Sequence, residues 1–223
     1  MSRKPKTLHQ RLAKALLLTV YCVVPGLEVA AQTGAAREAF KGSEEFRAAV
    51  ADTASSVKKY ANQLEKADRS LAQLSRSDGD LGNRYKSFAN DLRKLEKAQK
   101  NAASTIERLR ARQTEYFTAW DKANAQIADT ELRRSLAVRR SEVMTKYQAL
   151  ADDVSAIGRD LQPLMSHLRD LDLFLGSDPS RATLKEASAM IDGSRTEIRS
   201  LKHEIANVQR TLKAFLSENS GRS

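Results

Sequence analysis

Four prolines and nine glycines are spread over 223 residues, with one cysteine, one tryptophan and aromatics at only 5%. So little turn material excludes sheet architectures, which need a turn signal roughly every ten residues. A lone cysteine, Cys22, excludes a disulfide framework. Histidine is almost as scarce: His9, His167 and His203 are all there are. No H-E-x-x-H, G-x-S-x-G or glycine-rich phosphate loop occurs, so the familiar signatures of metal hydrolysis, serine hydrolysis and nucleotide binding are missing. Ala15 to Val24 is an apolar run of ten residues, about half of the ~20 that a membrane-spanning helix requires.

Charge and helix-forming residues fill the space instead. Charged residues make up 30% of the chain and the net charge is +10. Ala, Lys, Arg, Leu, Glu and Ser dominate, which is the composition of long amphipathic helices. Their apolar positions are periodic. Leu81, Tyr85, Phe88, Leu92, Leu95, Gln99, Ala102, Ile106, Leu109, Gln113, Tyr116, Trp120, Ala123 and Ile127 alternate in spacing between four and three. That stripe keeps one helical seam facing a partner over the whole segment. Gln99 and Gln113 are its only polar members, and inside such a seam a glutamine sets register through a hydrogen bond.

The first 31 residues read as a secretory signal. Arg3, Lys4, Lys6, Arg11 and Lys14 form a basic lead, the apolar run follows, Pro25-Gly26 breaks it, and Val29-Ala30-Ala31 offers small residues for cleavage before Gln32. Tyr21 is too bulky for lipoprotein processing at Cys22, so lipid anchoring there is disfavoured. Removal of residues 1–31, net +4, leaves +6 and no cysteine. The expected location is therefore the periplasm or an equivalent envelope compartment.

Residues 32–217 read as one helical domain and 218–223 as a polar tail. A first helix from about Glu38 to Ser75 carries Phe46, Val50, Thr53, Val57, Tyr60, Leu64, Ala67, Leu71 and Leu74, and ends at Ser77-Asp78-Gly79-Asp80. A second runs from Leu81 to about Ala128. Asp129 or Thr130 can cap a third, which carries Gly158 and Pro163 and shows a stutter between Leu136 and Tyr147. Pro163 removes one helical hydrogen bond and predicts a local bend. Gly176-Ser177-Asp178-Pro179 ends it, and Ser180 caps a fourth helix running through Leu184, Ile191, Ile198, Ile205 and Leu212. Short connections make neighbours antiparallel. The expected fold is all-α: an elongated, antiparallel, coiled-coil-like bundle of four long helices. Centring the turns places Trp120 level with Glu38 and opposite Arg140, and His203 opposite Asp153. The turn at 129–131 should project beyond the first and fourth helices.

Trp120, Leu132-Arg133-Arg134-Ser135, Tyr147, Pro163, Arg169-Asp170 and Leu173-Phe174-Leu175 stand at spacings that resemble a bacterial family of exported helical proteins, catalogued only as a domain of unknown function. Asp78-Gly79-Asp80-Leu81 with Tyr85 resembles that family's earlier turn, so the likeness covers roughly residues 40–178. It implies a secreted or lipid-anchored envelope protein with no established activity. The weak context of Cys22 departs from relatives that carry a lipoprotein cysteine.

Function is less legible. His167 and Asp170 stand three apart and could supply half a metal site, but no seam holds the inward carboxylates of a metal-dependent bundle enzyme. The reading is therefore of a non-enzyme with no cofactor and no metal. Arg133, Arg134, Arg139 and Arg140 cluster beside the 129–131 turn, and between Arg84 and Arg140 fourteen basic residues face seven acidic ones. An exported protein with such a face meets anionic lipid or envelope polymer more readily than nucleic acid, and aromatics for base stacking are few. The leading expectation is a structural or scaffolding role in the cell envelope through helix-mediated contacts with an envelope protein, with a homo-oligomer possible. The alternative is a peripheral binder of anionic membrane surfaces, with the four arginines as its contact.

Overall fold

A computed structural model describes residues 34–76 and 80–220, so the signal-segment expectations for 1–31, Cys22 included, lie outside the described residues. From Ala35 onward the chain forms one compact unit. It holds α1 (Gly34–Leu74), α2 (Leu81–Ala125), α3 (Thr130–Ser177) and α4 (Arg181–Ser220), and among the described residues no strand occurs. At ~1.5 Å per residue, the 45 residues of α2 span close to 68 Å.

The helix ends follow from local chemistry. Asp80 caps α2 by accepting from the Gly82 N–H at 2.9 Å, and Asp129 caps α3 through the Leu132 N–H at 2.9 Å. The Ser180 hydroxyl accepts from the Thr183 N–H at 3.2 Å to open α4. Each cap satisfies an amide that the first turn leaves without a helical partner. At the end of α1, Arg84 reaches back and donates to the carbonyls of Gln73 and Arg76. α3 continues through Pro163, which is exposed on its flank. α4 runs to Ser220, into the segment read as a tail.

Polar contacts fix the neighbours. Gln63 of α1 donates to the Asp91 carbonyl of α2 at 3.2 Å, Arg169 of α3 meets Glu96 of α2 at 2.7 Å, His167 of α3 meets Glu197 of α4 at 3.2 Å, and Arg195 of α4 returns to Asp68 of α1 at 3.1 Å. Each helix thus lies between two others in an up-down-up-down ring. The seams fill the ring. Leu64, Leu71, Leu74, Phe88, Leu95, Leu164, Leu168, Leu171, Ile191 and Leu212 are completely buried, each contributing roughly 1.5–3 kcal/mol relative to an exposed side chain. Thr53, a polar seam member, donates its hydroxyl to the Ala49 carbonyl at 2.8 Å.

Three sequence expectations shift. Ile106 is half-buried rather than buried, and Phe117 takes a buried place that the strict heptad assigns to its neighbour Tyr116. α2 stops at Ala125, three residues early. His203 is exposed and not opposite Asp153: His167 facing Glu197, and Asp160 facing Glu204, set a register about eight residues displaced in the sum of paired numbers. The turn between α3 and α4 is therefore not the midpoint of their pairing, so counting out from it misplaces every partner.

Candidate functional site

The seams that built the core run on toward the α2–α3 turn after the fourth helix has ended. At the register of Glu204 with Asp160, Ser220 stands level with about residue 144 of α3. On the other side Gly42 of α1 packs against Tyr116, a Cβ there meeting the Tyr116 backbone at 3.5 Å, so Gly34 stands level with about residue 124. Beyond those levels, among the described residues, α2 and α3 alone continue to the tip, as the turn geometry anticipates. An aromatic group closes the thicker part just below it: Phe46 stacks on Tyr116 at 5.2 Å, meets Phe215 edge-on at 6.4 Å and lies 6.0 Å from Tyr147, while Trp120 packs edge-on against Tyr116 at 5.4 Å. Burial pushes the Tyr116 hydroxyl up to about 12.

The tip carries Arg133 and Arg134 of the sequence reading, whereas Arg140, opposite Asp121, and its neighbour Arg139 stand lower, where α1 still runs alongside, so the four do not form one uniform patch. Arg133 and Arg134 are exposed. Arg133 donates to the Ala128 carbonyl at 3.2 Å, and Arg134 pairs with Glu131 at 2.8 Å. Arg139 and Arg140 are half-buried. Arg140 clasps Asp121 of α2, its Nε 2.6 Å from one carboxylate oxygen and its Nη2 donating to the other at 2.8 Å, while its guanidinium lies 5.0 Å from the centre of the Phe117 ring. The stutter before Tyr147 turns this side chain inward. The basic stretch of α2 is similarly matched: Arg108 with Asp52, Arg110 with Glu107, and Arg112 with Glu45 and Glu115. Charge counting found the bases but not the acids that other helices bring to them.

What sequence reasoning missed is the placement of exposed apolar side chains. Among the described residues the large ones are Phe40, Leu132, Val138, Leu173, Phe174 and Met190. Phe40, Leu132 and Val138 (56% exposed) lie toward the α2–α3 tip. Leu173 (74% exposed) and Phe174 (42%) lie in the last two turns of α3, and Met190 lies in the first three turns of α4, level with Phe174 at the register of those helices. The signal was present in Leu173-Phe174-Leu175, a run too apolar for one seam position to use.

Among the described residues no group of three His, Cys, Asp or Glu is placed to hold a metal, and His167 turns to Glu197 across the helix interface. No described helix is long and apolar enough to cross a membrane. A shallow groove of about 670 Å³ lies between α2 and α3 beside Asp121, Arg140 and Met144. Residues 39–220 match the model of a family described as "Protein of unknown function (DUF2959)", extending the likeness seen from Trp120 through the whole of α4. No curated protein and no solved structure matches the chain.

Proposed function

The chain belongs to the DUF2959 family, and from that premise we propose that it is a non-enzymatic scaffold of the bacterial cell envelope, a rigid rod that joins partners at its two ends. One observation carries the reading: among the described residues, the exposed large apolar side chains sit toward the ends of the bundle, with none on the flanks between them. Exposed Leu and Phe side chains grouped at one place favour a protein contact. A rod of packed leucines, closed at one level by stacked aromatics, holds its two ends at a fixed separation. The signal-like residues 1–31 support export.

The alternative, a tip that meets anionic membrane through Arg133, Arg134, Arg139 and Arg140, draws on less. Glu131 and Asp121 already face two of the four.

Replacing both Leu173 and Phe174 with Asp tests the scaffold. Leu173 is largely solvated and Phe174 partly so, so the melting temperature should fall only slightly. Retention of the protein in the envelope fraction of its native host should fall. Retention that survives the double change, or falls equally with an aspartate at exposed mid-bundle Ser200, would contradict the reading.

A further inference from the structure

Along the α1–α2 flank, the two halves treat charge differently. Toward the tip two arginines of α2 meet acids of α1 across the helices: Arg112 meets Glu45 at 2.9 Å and Arg108 meets Asp52 at 4.0 Å. Farther from the tip this pairing stops. An open groove of about 360 Å³ is lined there by Lys59 and Lys66 of α1, Lys94 and Lys97 of α2, and the amides Asn62 and Asn101. All four lysines are exposed, and across the groove lysine faces lysine.

The acids of the same stretch are engaged elsewhere. Glu65 pairs with Lys202 and Asp68 with Arg195, both on α4, and Glu96 pairs with Arg169 on α3. Only Asp91 remains near, 3.9 Å from Lys94, and its backbone carbonyl holds Gln63. Like charges set opposite one another along a helix pair reduce stability, and nothing in the packing requires them here, since the core beneath is already closed by Leu64 and Leu95.

We propose that this lysine groove is a binding site for a phosphate-bearing anion with more than one phosphate, laid between α1 and α2. Lysine binds phosphate as a mobile point charge. Lys59 and Lys66 stand seven residues apart, about 10 Å along the helix, so the site suits an extended ligand rather than one compact ion. The two amide side chains add neutral donors to its phosphate oxygens. The site lies on the flank and is independent of the end contacts.

The test uses the full chain and tripolyphosphate, by calorimetric titration and thermal melts at low salt. Tripolyphosphate should bind and raise the melting temperature, as any ligand selective for the folded state does, whereas sodium chloride at matched ionic strength should not. Lys59→Gln, Lys66→Gln, Lys94→Gln and Lys97→Gln combined should weaken binding at least roughly tenfold, since each removes a charge-assisted contact. The same variant, free of ligand, should melt no lower than the unmodified protein, because it loses repulsion and no packing. Lys58→Gln with Lys100→Gln, on neighbouring exposed positions, should bind as before. Flotation with anionic phospholipid vesicles identifies the source: loss of flotation in the quadruple variant assigns the site to lipid phosphate, and binding of tripolyphosphate without flotation assigns it to a soluble polymer. Absence of tripolyphosphate binding, or equal loss in the Lys58/Lys100 control, overturns the proposal.

Discussion

Gly158 and Gly176 both lie within α3, yet their surroundings differ. A Cβ at Gly158 would meet nothing within 4 Å, whereas one at Gly176 would fall 2.4 Å from the Tyr85 hydroxyl, which donates to the Asp172 carbonyl at 3.2 Å. Alanine is a better helix former than glycine by about 1 kcal/mol, so Gly158→Ala should stabilise by roughly that amount in urea unfolding. Gly176→Ala should give little or no gain, because Tyr85 must move and its hydrogen bond, worth about 1 kcal/mol net, is lost. Two carboxyls offer an opposed pair for pH. Burial, and then Asp160, raises the Glu204 carboxyl above its ordinary range, while the hydrogen bond from Lys202 lowers that of Glu65. A raised carboxyl makes the folded state bind more protons than the unfolded chain, so its contribution improves as pH falls. A lowered carboxyl does the reverse, and its contribution is lost as pH falls through the folded value. Glu204→Gln should therefore raise the melting temperature at pH 7 and show less gain near pH 4 in circular-dichroism melts. Glu65→Gln should lower it at pH 7, with the difference closing in acid.

At the scale of a helix, the seam of α2 gives the sharpest contrast. Leu95 is completely buried, Ile106 half-buried and Lys97 exposed. Leu95→Asp places an unpaired charge in the core and should cost several kcal/mol, on the order of 3–5. Ile106→Asp should cost less, and Lys97→Asp least, in denaturant titrations. Equal effects at Leu95 and Lys97 would mean the seam faces the wrong way. The helices, their caps at Asp129 and Ser180, and the α2 stripe were legible because period and capping are local properties of sequence. The register of α4 against α3 was not. It depends on how Leu168, Leu171 and Ile198 interlock across the ring, and turn length alone does not encode that. Arg139 and Arg140 show the same limit: charge counting groups them with Arg133 and Arg134, whereas the stutter that turns Arg140 onto Asp121 is a phase property of the whole of α3.

For the molecule as a whole, composition and periodicity reached the bundle, and the scarcity of His and Cys reached the expectation of a non-enzyme. The end placement of Leu132, Val138, Leu173 and Phe174 needed the three-dimensional ends, because exposure at a helix terminus depends on where the other helices stop. The lysine groove needed more still: it exists because Glu65, Asp68 and Glu96 turn toward α3 and α4, which no single helix reveals. The central claim is that this rod makes its protein contacts at its ends. Photo-crosslinking in the native host tests it most directly, with the reactive side chain placed in turn at Val138, Phe174 and Ser200, three exposed positions toward the tip, at the opposite end and in the middle. The account predicts protein adducts from Val138 and Phe174 and none from Ser200. Adducts as abundant from Ser200, or none from either end, would contradict it.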